Sequence, residues 1–439
     1  MPLTPVQRAV SRWTGHIIPA ILIGIVGYAT YVFVVRVCIH YLLFGSLRRH
    51  GVAIALLVVY FILFLPMAAS YMRLLLIVKL DPGYVPLGPG AKSRRIRGSE
   101  KPRGPITSEM SHNLGHGHGS PETAVNVAKD PDSPGLEDFY TKDVFVCEFD
   151  GKPKFCSECG IWKPDRTHHC SDVERCVRKM DHYCPWAGGI VAENSFKFFL
   201  QFVTYTWLYC FYLVVVLAIY VHEQKASSTR SLDPQFAVIL GLAAFFGLFT
   251  LGMSGSSFHF AIMNLTTIEN LNRKTRIWQL AVFLPQSEYV DAYRSGWATP
   301  FPTVTYPLPK VSSGSTSFVG QSDNTNRLSA SERDAKAIRK FAILKMEPGE
   351  NPYDLGLLEN WKSVMGTNPL DWILPIRRSP CCTHEGTESQ FALGPAVKRL
   401  RERYLINPEP NALPPRSPTT SPGIEMQDLN GAEHGDGRE

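Results

Sequence analysis

Charge is missing from four long stretches of this 439-residue chain: Ile17–Val35, Val52–Met72, Phe198–Val221 and Phe236–Phe258 contain no Asp, Glu, Lys, Arg or His. Each exceeds the roughly 18 apolar-leaning residues that cross a bilayer. Together they exclude a water-soluble globular fold and predict four transmembrane helices. Their lack of ionisable groups argues against an ion or lipid transporter, whose pathway needs such groups. No small-residue cleavage site follows the first stretch, which is too long for a secretory leader, so it is read as a retained span. Internal repeats and nucleic-acid motifs are also lacking, and the net charge of +6 suits anionic lipid or an anionic cofactor. The ten cysteines do not make a secreted disulfide framework. Most fall in one segment that the charge pattern assigns to the cytosol, where thiols stay reduced and serve metals or catalysis.

What is present is a Lys/Arg bias. Lys79, Lys92, Arg94, Arg95, Arg97, Lys101 and Arg103 follow the second span, Arg273, Lys274 and Arg276 follow the fourth, and Arg8 and Arg12 precede the first. The positive-inside rule puts these regions and both termini in the cytosol; Arg48 and Arg49 in the first hairpin argue the other way and are outnumbered. The expected fold is an all-α polytopic membrane protein: four transmembrane helices, with a cytosolic zinc-binding Cys-rich domain between helices two and three. Residues 1–80 hold the first membrane hairpin and 81–143 a cytosolic linker, partly disordered. Residues 144–195 form the Cys-rich domain and 196–260 the second hairpin. Residues 261–375 make a juxtamembrane and C-terminal packing region, and 376–439 a disordered tail. His112, His116 and His118 read as flexible polar linker, because glycines surround them and no cysteine joins them. Pro66 should kink the second span.

The chemistry is compressed between Cys156 and Trp186. Cys156-x2-Cys159 has knuckle spacing, and His169 and Cys176 complete three thiolates and an imidazole, a closed tetrahedral zinc set. His168, the neighbour of His169, is the alternative imidazole; His169 is favoured. A region this short and polar has little core, so the metal is expected to supply much of its folding energy. Cys184 then follows Asp181 and His182. The thiolate is the nucleophile, an imidazole can take the thiol proton, and a carboxylate can orient that imidazole, which is the logic of covalent acyl transfer. Pro185 and Trp186 turn the chain towards the third span and place Cys184 at the membrane interface.

At this point the residues resemble the DHHC protein S-acyltransferases, in the four-span Asp-His-Tyr-Cys form found among fungal members. The resemblance rests on Lys163-Pro164-Asp165-Arg166-Thr167-His168-His169-Cys170, Cys176 and Asp181-His182-Tyr183-Cys184-Pro185-Trp186. Asp81-Pro82-Gly83, Thr266-Thr267-Ile268-Glu269 and Asn351-Pro352-Tyr353-Asp354-Leu355-Gly356 with Asn360 and Trp361 resemble three further family motifs, in the right order around the spans. The family implies a protein S-palmitoyltransferase that moves a fatty acyl group from acyl-CoA to a Cys of a membrane-proximal substrate protein, by way of an acyl-enzyme. Cys184 matches the nucleophile, His182 the base and Asp181 its partner, with Thr267 packing near the acid. Lys154, Lys163 and His168 match or replace polar residues that meet the CoA phosphates, and Tyr209 matches a position at the end of the acyl tunnel. The implied setting is an endomembrane or the plasma membrane, with the active site cytosolic and no nucleic-acid partner.

The departures carry information too. The family's second zinc site falls here on Cys170, Val173, Tyr183 and Ile190, so three of its four ligands are replaced together. Joint replacement by apolar and aromatic residues predicts a packed cluster, with burial of Val and Ile worth ~1.5–3 kcal/mol each. One structural zinc ion per chain is therefore expected. The Asn that usually follows Pro-Trp is off register, with Asn194 followed by Ser195. These losses motivate a competing reading, a catalytically inactive zinc-bearing membrane scaffold; against it stand intact Asp181, His182 and Cys184.

Overall fold

The computed structural model describes residues 4–44, 49–88, 91, 135–226, 232–271, 273–284, 301–306, 339–382, 384, 386, 388–404 and 406. Arg48, the basic run from Lys92 to Arg103, the His112, His116 and His118 cluster and the tail from Asn407 onward lie outside them.

Among the described residues, four helices are long and apolar enough to cross a membrane. Helix α1 (Pro5–Tyr31) starts on a capping box, Thr4 with Gln7, and Pro5 at its first position, where the missing N–H costs nothing. It continues as a π-type turn run over Val32–Leu43. Helix α2 spans His50–Leu80 and runs unbroken through Pro66. Helix α3 spans Phe196–Ala226, and α4 spans Pro234–Met263, capped by Asp233 on the Gln235 N–H. At 30 residues α4 is about 45 Å long, more than the ~30 Å hydrocarbon core. Its outward face carries Phe245, Leu248 and Leu251 exposed, and α2 likewise carries Ile54, Ile62 and Leu65. Apolar surface of that extent needs a lipid partner. Arg49, which ran against the charge bias, pairs with Glu223 at 3.0 Å, so its charge is locally compensated.

Between α2 and α3 the chain makes three short antiparallel hairpins. They are β2 (Phe155–Cys156) with β3 (Ile161–Trp162), β4 (His168–Cys170) with β5 (Arg175–Val177), and β6 (His182–Cys184) with β7 (Gly189–Val191). A four-stranded sheet stands beside them. Its order is β1 (Val144–Val146), β8 (Gln279–Leu284), β10 (Arg339–Lys345), β9 (Thr303–Tyr306), all antiparallel. The all-α expectation is corrected here: it describes the membrane part, and the rest contains strands. The central strands read as continuous apolar runs because both faces are buried. Leu280, Val282, Ala342 and Leu344 pack into one cluster, and Ala281, Phe341 and Ile343 into another with Phe145 and Tyr306. Their partners are distant in sequence, which hid the pairing from local pattern.

Two expected boundaries also move. The strand that opens 144–195 pairs with β8, not with the Cys/His hairpins. The tail expected to be disordered from 376 is ordered in its described part. Helix Pro395–Arg403 buries Ala396, Val397 and Leu400 against Trp278, Tyr353 and Phe391. The apolar positions of that short helix lie three or four apart among five charges, a pattern outweighed by the Pro- and Ser-rich composition beyond it.

The end of α4 is fastened by the Asn351–Trp361 motif. Asn264 adopts the left-handed conformation (φ 45) that stops the helix. Asn360 Nδ2 donates to the Ile262 carbonyl at 2.8 Å and Asn351 Nδ2 to Met263 at 3.3 Å, so side-chain amides satisfy carbonyls left over at the helix end. Trp361 stacks on Phe258, with ring centroids 5.2 Å apart.

Candidate active site and metal centre

Strand alternation builds the site. Successive residues of β6 point to opposite faces, so His182 and Cys184 share one face while Tyr183 takes the other. His182 Nδ1 is 2.6 Å from Asp181 Oδ2. The other carboxylate oxygen accepts the Thr267 N–H at 2.8 Å, and the Thr267 hydroxyl donates to the Asp181 carbonyl. The helix after α4, Thr267–Leu271, thereby holds Asp181 from behind. Because a carboxylate only accepts, the proton on His182 sits at Nδ1, leaving Nε2 to act as a base; Nε2 is buried with no hydrogen-bond partner of its own. Burial opposes charge on His182, but Asp181 and Cys184 outweigh it and raise its pKa to about 9, so the ring firmly holds a proton that it takes from Cys184.

Cys184 is buried and opens onto an apolar cavity between the membrane helices, whose empty space together with its open mouth is about 810 Å³. Trp186 and Phe199 line it beside Cys184; Phe202, Thr206 and Tyr209 carry the lining along α3. From Phe199 to Tyr209 is about 15 Å of helix rise, and Leu213 lines the cavity one turn further. Tyr209 is buried, and its hydroxyl is 3.0 Å from that of Tyr60, which donates to Thr30 Oγ1 at 2.7 Å, tying three spans together.

The four sequence-predicted metal ligands converge. Cys156 and Cys159 flank the β2–β3 turn, and His169 and Cys176 are directly opposed across β4–β5. Their ligand atoms all lie within 4.8 Å of one another. His169 Nδ1 is 3.3 Å from Cys159 Sγ, 3.5 Å from Cys156 Sγ and 4.0 Å from Cys176 Sγ. A tetrahedral zinc with ordinary Zn–S and Zn–N bonds spaces N from S by about 3.5 Å, so the set fits that ion. Hydrogen bonds from Cys159 and Cys176 hold the Cys156 thiol far below its usual range, and Cys156 and Cys159 hold His169 up at about 9. Cys156 and Cys159 push the Cys176 thiol the other way, since three thiols this close do not all ionise without a cation among them.

The positions of the absent second ligand set pack together. Cys170 and Ile190 are buried in one apolar cluster with Val177, Met180 and Ala192, against which Val173, Tyr183 and Ile268 pack. The Tyr183 hydroxyl leaves the cluster and donates to the Ser11 carbonyl at 2.7 Å, docking the start of α1.

Lys154 and Lys163 are joined through their backbones, with Lys163 N donating to Lys154 O at 2.7 Å. Their charges and that of Arg276 act on His168, whose pKa falls to about 4, chiefly through burial. Burial, Arg276 and Lys163 likewise lower the Lys154 pKa. The sequence reading had counted Arg276 only as a charge flanking a span. It also missed the link between Arg166 and Glu269, 0% and 1% exposed. Arg166 Nε and Nη2 grip the Glu269 carboxylate at 2.9 and 2.6 Å, and Nη1 and Nη2 reach Asn264 at 2.9 and 2.8 Å. Burial works to raise the Glu269 pKa, but Arg166 holds it down at about 2. Both residues sit inside motifs that the sequence had marked, which was the available signal.

Comparison with known proteins follows the same lines. Residues 150–274 match the family model described as DHHC palmitoyltransferase. The chain is 42% identical over 419 residues to "Palmitoyltransferase pfa5" of Aspergillus fumigatus, covering 90% of each. It is 39% identical over 435 residues to the protein of that name from Emericella nidulans, covering 90% of this chain and 87% of that one. Human "Palmitoyltransferase ZDHHC3" is 35% identical over 158 residues, 34% of this chain and 53% of its own length.

Proposed function

This chain belongs to the DHHC palmitoyltransferase family and is a protein S-palmitoyltransferase, and we propose that its acyl-enzyme forms at Cys184, with His182 as base and Asp181 holding the imidazole. The Cys184 proton passes to His182 Nε2 as sulfur attacks the thioester carbon of an acyl-CoA. Coenzyme A leaves and takes that proton. A substrate cysteine then loses its proton to His182 and attacks the Cys184 thioester, and Cys184 regains the proton as it leaves. The observation that carries this reading is one thiol that borders both a buried Asp181–His182 pair and an apolar cavity.

The other assignments follow the same geometry. The apolar cavity takes the acyl chain, and Tyr209 near its far end sets the preferred length. Lys154, Lys163 and Arg276, grouped around His168, meet the CoA phosphates. Cys156, Cys159, His169 and Cys176 hold a zinc ion whose role is structural: it fixes the hairpins that present Cys184. Neutral His168 stays outside that set. The positive-inside bias places this face of the protein in the cytosol, where acyl-CoA and membrane-proximal substrate cysteines are available. Incubation of the full chain with palmitoyl-CoA should give a hydroxylamine-sensitive acyl group mapped to Cys184. Full labelling of the Cys184→Ala protein would remove it as the nucleophile.

A further inference from the structure

Among the described residues, one other group of ligand atoms is close enough to share an ion: Glu193, Cys381 and Cys382, all within 4.8 Å of one another. Glu193 follows β7, and the two cysteines lie on a strap that crosses from the C-terminal region. Arg378 pairs with Asp81 at 2.5 Å and Ser379 Oγ donates to the Ser363 carbonyl at 3.2 Å, which fixes the start of the strap. His384 joins the group through Glu193, its Nε2 2.9 Å from Glu193 Oε1.

That last contact needs a positive charge. His384 Nδ1 is 2.8 Å from the Gln390 carbonyl oxygen, which can only accept, so Nδ1 carries the proton and Nε2 of the neutral ring carries a lone pair. A lone pair 2.9 Å from a carboxylate oxygen repels it. Both atoms are buried and neither makes a directed hydrogen bond, and the Glu193 side chain is only 3% exposed. A proton on Nε2, which Glu193 favours against burial, satisfies His384 and the carboxylate, and the Cys382 thiol reaches the Glu193 backbone carbonyl at 3.7 Å. Neither contact uses the close approach of both sulfurs to the Glu193 carboxylate, which a thiophilic dication shared by the three ligand atoms explains.

We infer a second metal site, for a divalent cation of the zinc class, held by Cys381 Sγ, Cys382 Sγ and the Glu193 carboxylate, with His384 bearing on that carboxylate from outside the ligand set. Two thiol protons leave to solvent as the ion binds. Two thiolates and a carboxylate on a dication leave one negative charge, and Lys179 Nζ, 3.8 Å from Cys381 Sγ, offsets it. The set of two sulfurs and one carboxylate oxygen favours zinc over calcium or magnesium. The ion pins the strap behind the catalytic pair, since Cys381 lines a small cavity with Asp181 and Thr266. Two ions per chain would replace the single ion per chain expected from the sequence, with the Cys-rich domain accounting for one of them.

The test uses the full chain purified in detergent after expression with zinc. Elemental analysis should find two zinc ions per chain in the wild type and one in the Cys381→Ser/Cys382→Ser double variant. Glu193→Gln, which keeps the shape and removes the charge, should also fall to one. Alkylation of Cys381 and Cys382 by N-ethylmaleimide, mapped by mass spectrometry, should speed up by about tenfold or more once a strong chelator strips the metal. A wild type holding one ion overturns the site, and so does a double variant that keeps two. An alkylation rate indifferent to chelator overturns it as well, and this measurement on the wild type decides the matter if the double variant aggregates. One ion that departs with Cys156→Ser would mark the failure of this site while leaving the Cys-rich centre intact.

Discussion

Replacing Asp181 by Asn should slow acyl-enzyme formation more than replacing it by Ala. The structure sets this order. Asp181 Oδ1 accepts the Thr267 N–H at 2.8 Å, and Oδ2 faces His182 Nδ1 at 2.6 Å. An asparagine must keep its oxygen on the Thr267 donor, so its NH2 turns to His182. Nδ1 then has to accept, the ring proton moves to Nε2, and the base presents a proton to Cys184 where it needs a lone pair. Alanine only frees the ring, which can still adopt the useful tautomer part of the time. General-base catalysis is worth about 10²–10⁴ in rate, or about 3–5 kcal/mol at 1.36 kcal/mol per decade. Asp181→Asn should forfeit most of that and Asp181→Ala less. The assay is single-turnover acylation of the purified chain by labelled palmitoyl-CoA, with zinc content and monodispersity as checks on folding. A folded Asp181→Asn protein within threefold of wild type, or one faster than Asp181→Ala, would refute the assigned tautomer.

Arg166→Met leaves Glu269 buried without its cation, and breaking such a pair costs about 3–5 kcal/mol; a folded variant with unchanged thermal stability in detergent would contradict this. The depressed Glu269 pKa, about 2 against an ordinary 4.5, contributes stability that is present above pH 4.5 and lost as pH falls towards 2. The acid limb of wild-type unfolding should therefore flatten in Arg166→Met. Tyr209→Ala should raise the rate with stearoyl-CoA relative to palmitoyl-CoA by about tenfold or more, since each methylene newly accommodated is worth about 1–3 kcal/mol; an unchanged chain-length profile would detach Tyr209 from selectivity. Cys156→Ser should lose the Cys-rich zinc and with it on the order of ten kcal/mol of local folding energy, while Cys170→Ala should keep its metal, as elemental analysis of the two proteins will read.

The features legible in the sequence are those written in local pattern. Four uncharged runs specify four membrane helices, because a span is defined by its length and its lack of charge alone. Knuckle spacing groups Cys156 with Cys159, and a two-residue offset puts His182 and Cys184 on one strand face. The loss of ligands at Val173, Tyr183 and Ile190 foretold a packed cluster, since apolar residues at a vacated metal site have only each other to bury against. Composition misled where it was read as a summary of a region. The tail from 376 looked disordered because Pro and Ser dominate beyond Asn407, yet Ala396, Val397 and Leu400 find a core in Trp278 and Tyr353.

Only the tertiary structure decided which distant groups meet. The sheet joins strands from 144, 279, 303 and 339, and none of those short runs can bury both faces until the others arrive. Arg166 and Glu269 are 103 residues apart, and each would be too costly to bury unpaired. Thr267 reaches Asp181 only because the end of α4 returns to the hairpins, and that contact selects the tautomer of His182. Glu193 and the cysteine pair at 381 and 382 come together in the same way, across 189 residues for Glu193 and Cys382. A sequence shows which side chains can ligate, donate or attack; shared occupancy of a few cubic ångströms depends on how the whole chain closes.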